Sequence, residues 1–324
     1  AKQCSMKILY TLVYSCWYLL SLLPLRVLYV VSDVFYFVLA KIVKYRYQVI
    51  WENVSSAFPN YDETKKKHII NNFYAWLCDY FVETVKLMTM SEAEVKRRMV
   101  FIGCENLDKN WADKRSVAVY LGHYGQWEWI TSLPLWLHSD GKCTQIYHPL
   151  ENKIFDKIFL KARQHYGGVC IPMNESLRKL VKYRAEGIPV VLGYIADQAP
   201  FWNNIHHWID FLHHDTPVFT GAERMIKSTD QVVYYGDVRR VKRGYYTCEF
   251  KLITDQPKLF PDYELTDTYF DLLEKSIIYD PSIYLWSHKR WKRTHEEYNN
   301  RLNKETGIID LRDLETIKKE KGIQ

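Results

Sequence analysis

The sequence lacks the cysteine spacing that a disulfide framework or a zinc site requires. Its seven cysteines are an odd number, and no two of them form a C-x-x-C pair. Disulfide scaffolds use even numbers of cysteines, and structural zinc sites place ligand cysteines a few residues apart. We therefore expect reduced thiols in a cytosolic domain.

Other patterns are missing as well. The 324 residues contain no glycine-rich phosphate loop, internal repeat or low-complexity segment. The formal net charge is +6, but the basic residues are dispersed, which disfavours nucleic acid as a partner. A mildly basic protein remains suited to anionic lipid headgroups or phosphorylated substrates. The length allows one large domain or two small ones.

The N-terminal part has little charge. Residues 8 to 25 carry none, and a second apolar stretch over residues 27 to 43 is interrupted by Asp33 and Lys41. The first stretch approaches the roughly 20 residues of a spanning helix, and no A-x-A-like cleavage site follows it. We predict one membrane-anchoring helix followed by an interfacial helix. A buried hairpin of two helices in a soluble protein is the alternative, and basic residues on both flanks leave the orientation open.

Strand and helix patterns alternate through the remaining chain. Residues 116 to 121 and 188 to 195 are short apolar runs typical of buried strands, and residues 231 to 253 indicate a β-hairpin. This order predicts an α/β fold with a mixed central sheet flanked by helices. A charged tail follows, either as a solvated helix or partly disordered. The predicted divisions are an anchor over residues 1–45, an α/β domain over residues 46–295 and the tail over residues 296–324.

One histidine and one glutamate stand just beyond the first of these strands. His123 follows Gly122, and Glu128 comes five residues after it. Such a pair suits a general base and the carboxylate that orients it. Five helical positions place two side chains about 140° apart, so the pair can meet only if a turn intervenes, which Gly125 makes easy. Spacing alone leaves a capping histidine beside a surface glutamate as an alternative.

A longer series of short motifs surrounds this pair in a fixed order. The series comprises Asn53 with Ala57-Phe58-Pro59, the box from His123 to Glu128, Tyr147-His148-Pro149 with Asn152, Arg163, Ala196-Asp197-Gln198, Phe211 with Thr216-Pro217, Thr220-Gly221-Ala222, Pro281 with Tyr284-Leu285-Trp286, and His288-Lys289-Arg290-Trp291-Lys292.

On these residues the sequence resembles the bacterial lipid A biosynthesis acyltransferases, within the lysophospholipid acyltransferase superfamily. The resemblance runs from the N-terminus to about Lys292. It implies a glycerolipid acyltransferase-like fold on the cytoplasmic face of the bacterial inner membrane. The implied reaction moves a fatty acyl chain from acyl-acyl carrier protein to a hydroxyl of a lipid A precursor. Acyl carrier protein, the precursor glycolipid and membrane phospholipid are the implied partners, and no cofactor is expected.

The resemblance also implies roles for particular residues. His123 and Glu128 match the catalytic box, while Arg163 and Asp197 match positions associated with the site and the acceptor headgroup. Arg224 and His148 are further candidates for substrate binding. The family usually has arginine where this chain has His148, so a cation there becomes dependent on pH. The loop between Gln198 and Phe211 also departs from the usual glycine-rich pattern, which leaves the acyl-chain length open.

The predicted chemistry is direct transfer, with His123 as the base and Glu128 on its other ring nitrogen. Backbone N–H groups near Gly125 or at the following helix start are candidates for stabilising the oxyanion. The alternative to a site role for Arg163 is an ordinary surface arginine on a helix. The alternative for Asp197 is a residue that caps a helix or a turn.

Two further clusters invite other interpretations. The histidines between positions 206 and 214 resemble a metal cluster, but their spacing fits no standard zinc pattern, so we expect no metal. The aromatic and basic residues from Trp286 to Arg293 favour a lipid or carrier-protein contact, although a nucleic-acid patch and an ordinary helix end look similar.

Two other functions remain open at this stage. The protein could acylate another glycolipid, an aminolipid or a lysophospholipid, which the departure at His148 keeps in view. It could instead be a non-catalytic, membrane-anchored lipid-binding module, although the presence of both His123 and Glu128 argues against that.

Overall fold

A seven-stranded sheet lies at the centre of the structure, a computed structural model that describes residues 2–322 and, for residues 2–7, the backbone alone. The strands follow the order β1-β9-β8-β2-β5-β3-β4, and only β8 and β9 pair antiparallel. The sheet strands are β1 Met99–Ile102, β2 Val117–Leu121, β3 Lys142–Tyr147, β4 Val169–Pro172, β5 Val190–Ile195, β8 Val232–Lys242 and β9 Tyr245–Thr254, and a separate hairpin comprises β6 Trp208–Phe211 and β7 His214–Pro217.

Helices connect these strands, as the alternating pattern predicts. The described α-helices are α1 Lys2–Leu22, α2 Leu25–Tyr36, α3 Tyr47–Ala57, α4 Glu63–Lys86, α5 Glu92–Arg98, α6 Cys104–Ala112, α7 Lys153–Arg163, α8 Ser176–Ala185, α9 Gly221–Thr229, α10 Glu264–Tyr279, α11 His295–Arg301 and α12 Leu314–Lys321. A π-helical turn, Phe37–Ile42, continues α2. The mixed central sheet flanked by helices is therefore confirmed.

Strand β2 is the middle strand of the sheet, and all five of its side chains are buried. Its uninterrupted apolar sequence suits this position. It pairs in parallel with β5 on one side and β8 on the other. The carboxyl ends of β2, β5 and β3 consequently meet at one edge of the sheet, where ligands of open α/β sheets bind.

The N-terminal helices form a bent pair on the surface of this core. One side of α1 packs on α7 and α4, where Tyr10, Val13, Tyr14 and Trp17 surround the buried Met88, Ile154 and Ile158. Among the described residues, no single helix passes as a membrane span, although the pair Ile8–Leu22 and Leu25–Ile42, bent by 115°, does so by length and composition. The single spanning helix predicted from residues 8 to 25 is thus not shown.

The charged tail is folded along its described part. Arg301 ends α11 and donates to the backbone oxygens of Asp310 and Arg312 at 3.0 and 2.8 Å. Ile317 of α12 is buried. The described part of the tail thus contains two short helices, α11 and α12, joined by a segment without helix, rather than one solvated helix.

Candidate active site

His123 lies where β2 ends, and it is paired with Asp197, which follows the neighbouring β5. The imidazole Nδ1 is 2.7 Å from Asp197 Oδ1, and the backbone N–H of His123 donates to Asp197 Oδ2 at 3.0 Å. The carboxylate therefore accepts two hydrogen bonds from one residue. This contact fixes the tautomer that carries its proton on Nδ1 and leaves the lone pair on Nε2.

The pair is asymmetric in its exposure. The side chain of His123 is 21% exposed and that of Asp197 only 2%. Burial raises the pKa of the Asp197 carboxyl, but the electrostatic interaction with His123 and the hydrogen bonds from it outweigh burial and hold that pKa below its usual range. Asp197 thus stays ionised while the imidazole remains accessible. The remaining ring nitrogen, Nε2, lies 3.3 Å from the amide nitrogen of Gln198, which marks the direction of its lone pair.

The structure corrects the predicted partner of His123. Glu128 does not contact the imidazole; its carboxylate forms a two-pronged pair with Arg163 at the end of α7. Arg163 Nε lies 2.8 Å from Glu128 Oε2, and Arg163 Nη2 lies 2.6 Å from Oε1. The Tyr80 hydroxyl donates to the same Oε1 at 3.4 Å. Because the carboxylate is 3% exposed and the guanidinium 24%, this pair is largely removed from water.

The turn that carries these residues is held by a distant segment of the chain. The backbone N–H of Gly125 donates to the oxygen of Ile283 at 2.9 Å, and that of Leu285 donates to the oxygen of His123 at 3.1 Å. Gly125 has φ +64°, and a Cβ there would lie 2.6 Å from Val238, so glycine is required. The N–H of Gly125 is consequently engaged by Ile283, whereas the prediction that N–H groups near Gly125 or at the following helix start stabilise the oxyanion stays a prediction.

Two of the sequence motifs are explained by these contacts between the turn and the distant segment. Asn53 donates to the backbone oxygens of Trp286 and His288 at 2.7 and 2.8 Å. The indole of Trp286 in turn donates to the oxygen of Pro281 at 2.5 Å. Asn53 and Trp286 therefore support the segment that holds the turn after β2, although Asn53 is far from that segment in sequence.

The other predicted substrate residues lie apart from the pair. His148 follows β3, one strand beyond Asp197 along the same edge of the sheet, and its Nδ1 lies 3.1 Å from the oxygen of Pro149. Arg224 is exposed on the first turn of α9. Within residues 2–322, neither side chain hydrogen-bonds to His123 or Asp197. Their roles in substrate binding stay predictions.

The histidines after position 205 are dispersed among separate partners. His207 lies 2.7 Å from Asp267 and stacks on Tyr263, whereas His214 stacks on Trp291. The described part of the chain holds no group of three or more histidine, cysteine, aspartate or glutamate side chains that could bind a metal ion.

An ionised, buried carboxylate on an accessible imidazole, at the carboxyl edge of an α/β sheet, is an arrangement found in the class of enzymes that activate a hydroxyl with a histidine base. Within this class the family is defined by sequence. Residues 2–293 match the family described as bacterial lipid A biosynthesis acyltransferase, and the chain belongs to that family. The predicted resemblance is confirmed, and the family places the chain among the acyltransferases.

Individual relatives are distant. Two proteins of Haemophilus influenzae, each named lipid A biosynthesis acyltransferase, are 21% identical over 182 residues and 22% identical over 259 residues. The first match covers 56% of this chain and 55% of the relative, and the second covers 79% and 81%. A protein of Shigella flexneri named lipid A biosynthesis acyltransferase 2 is 22% identical over 137 residues, 42% of each chain. The first and third of these matches thus span about half of the relative or less.

Proposed function

We propose that the protein transfers a fatty acyl chain from acyl-acyl carrier protein to a hydroxyl of a lipid A precursor. Family membership supports the reaction class and the acceptor, since the relatives carry that name. The observation that carries the chemistry is the 2.7 Å contact between His123 Nδ1 and Asp197 Oδ1. It leaves Nε2 as the base, on the exposed side of the pair.

The reaction then proceeds in one displacement with a tetrahedral intermediate. His123 Nε2 removes the proton of the acceptor hydroxyl as that oxygen attacks the thioester carbonyl. Asp197 stabilises the imidazolium that forms. Collapse of the intermediate breaks the carbon–sulfur bond, and the imidazolium returns its proton to the departing thiolate. Atoms and charge balance without a covalent enzyme intermediate or a cofactor.

Arg163 and Glu128 have a structural part in this scheme. Because each neutralises the other, neither is a free charge for the substrate in this geometry. The pair links the catalytic turn to α7, on which α1 packs. Arg163 can bind an anionic headgroup only if it exchanges Glu128 for the ligand.

The test uses purified protein and defined substrates. Acyl-acyl carrier protein and acyl-coenzyme A are supplied separately as donors, with a lipid A precursor or a lysophospholipid as acceptor. The products are identified by mass spectrometry. We expect the ester of the lipid A precursor with the carrier-protein donor, and none with His123→Ala. Transfer to the lysophospholipid alone would favour the second candidate, which the histidine at position 148 supports.

We further propose that the bent pair of N-terminal helices binds the cytoplasmic face of the bacterial inner membrane. Apolar side chains of this pair that do not pack on the core are exposed, which is unusual for a soluble surface. They include Ile8, Leu9, Leu12, Leu19, Val30, Val34, Phe37 and Ile42. Insertion of this face into the headgroup region would bury it and bring the acceptor lipid to the domain.

Vesicle flotation tests the membrane proposal. Leu12→Gln combined with Leu19→Gln should reduce binding to vesicles that contain anionic phospholipid. Leu259→Gln is the matched control, since Leu259 is also exposed and apolar but belongs to another segment. Equal binding by both variants would contradict the proposal.

A further inference from the structure

Glu83 of α4 is a fully buried carboxylate that the proposed chemistry does not use. Its exposure is 0%, and three donors from three different elements converge on it. The hydroxyl of Tyr29 in α2 donates to Oε1 at 2.8 Å. The amide of Gln126 and the hydroxyl of Tyr246 donate to Oε2 at 2.8 and 3.2 Å. We call these four residues the Glu83 junction.

The junction holds the catalytic turn at two points. Gln126 lies between His123 and Glu128 in sequence, and its side chain reaches the Glu83 carboxylate. The indole of Trp129, one residue beyond Glu128, donates to the backbone oxygen of Glu83 at 3.1 Å. Glu83 thus fixes one residue before Glu128 and one after it, Gln126 and Trp129, although it hydrogen-bonds to neither member of the His123–Asp197 pair.

The same junction is tied to the N-terminal helices. One turn earlier on α4, Asp79 accepts from Ser32 of α2 at 2.6 Å and from Arg243 at 2.6 and 2.8 Å. Arg243 also donates to Asp33 at 2.7 Å. A contiguous polar path therefore runs from the exposed helix pair through α4 to the turn.

We propose that Glu83 is a positioning residue that holds the turn from Gly122 to Trp129 in its active geometry and makes that geometry depend on the seating of α2 through Tyr29. The proposal rests on the proposed function for its kinetic consequence, since a bent helix pair that binds lipid would then set the geometry of the base. A buried carboxylate is costly unless it is hydrogen-bonded, and a satisfied buried network specifies one arrangement of its members. Here the hydrogen bonds specify where the turn lies.

The burial of Glu83 agrees with this role. Desolvation raises the pKa of Glu83 to about 7, because the nearby Asp79 adds to the penalty and the hydrogen bonds from Gln126, Tyr29 and Tyr246 only partly offset it. Burial of the charged form of Glu83 therefore lowers the stability of the fold. This cost favours a role for Glu83 in fixing geometry over a role in stability.

Kinetics of matched tyrosine variants test the proposal. Tyr29→Phe removes only the hydrogen bond from α2, and it should lower kcat by about 2- to 10-fold, the worth of one hydrogen bond, with KM for both substrates unchanged. Tyr74→Phe is the control, because Tyr74 lies on α4, the helix of Glu83, and its hydroxyl donates to the oxygen of Tyr45 at 2.7 Å, away from the turn. Equal kcat values for the two variants would overturn the proposal.

Substitutions at Glu83 separate positioning from charge. Glu83→Ala should lower kcat more than Tyr29→Phe does, and Tyr29→Phe should add nothing in that background. Glu83→Gln should restore most of kcat, because the amide can pair with a flipped Gln126, whose Oε1 has no partner within the described residues. If Glu83→Gln is as slow as Glu83→Ala, the role is electrostatic and the proposal is wrong.

Hydrogen exchange provides a readout that needs no substrate. The backbone N–H groups of His123, Gly125 and Trp129 are hydrogen-bonded in the turn. Their exchange should accelerate in Tyr29→Phe and Glu83→Ala but not in Tyr74→Phe, and the two tyrosine variants, each of which loses one hydrogen bond, are compared at the same interval below their melting temperatures. Unchanged exchange in the turn would overturn the proposal. Absence of acyl transfer by the wild-type protein would instead count against the proposed function alone.

Discussion

Two pairs of a carboxylate with a basic side chain lie beside the same turn, and they differ in chemistry although they are alike in burial. In the His123–Asp197 pair the carboxylate is 2% exposed and the cation-forming group 21%. In the Arg163–Glu128 pair the values are similar, at 3% and 24%, but arginine cannot give up its proton. Only in the first pair can the side chain beside the carboxylate both accept and release a proton. Similar burial therefore supports chemistry in one pair and a fixed link between elements in the other.

The largest expected effect is the loss of the base. His123→Ala should lower kcat by about 10⁴-fold, the upper end of general-base contributions, because no other group would accept the hydroxyl proton at that position. Steady-state kinetics with the lipid A precursor measures it, and the melting temperature controls for folding. Near-normal turnover would mean that His123 is not the base, and the two pairs would then not differ in function.

Loss of the orienting carboxylate should cost less. Asp197→Ala leaves Nε2 present but frees the imidazole to rotate, so we expect kcat to fall by about 10²-fold. The same assay applies, with Glu128→Ala as the comparison. If Glu128→Ala were slower than Asp197→Ala while both remained folded, the roles assigned to the two carboxylates would be reversed.

Breaking the second pair should chiefly affect stability. Glu128→Leu leaves the Arg163 guanidinium uncompensated and should lower the free energy of unfolding by about 3 kcal/mol. The double variant Glu128→Leu with Arg163→Leu should recover much of that loss, because two apolar side chains replace a buried ion pair at little cost. Denaturant unfolding measures both, and a double variant no more stable than the single one would contradict this account.

A smaller effect concerns acid. The pKa of Asp197 is lowered in the folded chain, so the contribution of its pair to stability is present above the usual value of 3.8 and is lost as pH falls through the folded value. The stability difference between the wild type and Asp197→Asn should therefore shrink as pH falls below 3.8. Thermal unfolding across acid pH tests this, and a difference that grew in acid would contradict it.

The smallest expected effect is none. Removal of divalent metal with a chelator should leave kcat unchanged, since the proposed proton transfer uses His123 and Asp197 alone. Readdition of zinc or magnesium is the control. Activity that disappears with chelator and returns with one metal would mean that the reaction needs a metal ion in addition to His123 and Asp197.

Sequence patterns sufficed where the physics is local. Strand β2 is predictable because an uninterrupted apolar, β-branched run can only be buried. The hairpin of β8 and β9 follows from two strand patterns around Lys242-Arg243-Gly244. His123 stands out because a polar, titratable residue directly follows a strand of this kind.

The sequence did not allow us to predict which carboxylate pairs with His123. Glu128 is five positions from His123, and Asp197 is seventy-four, yet the nearer carboxylate pairs with Arg163 and the farther one with the imidazole. One signal was available, since Asp197 also follows an apolar strand, but it required knowing that β2 and β5 are neighbours. That adjacency is set by how the whole sheet assembles.

The sequence by itself determined which segments are strands and helices, because hydrophobic periodicity and turn residues act over a few positions. Only the tertiary structure decided which carboxylate contacts His123 and which joins the turn to α7, because strand order brings distant residues to one edge of the sheet. It also placed Glu83 beneath the turn, a contact between helix and loop that no local pattern encodes.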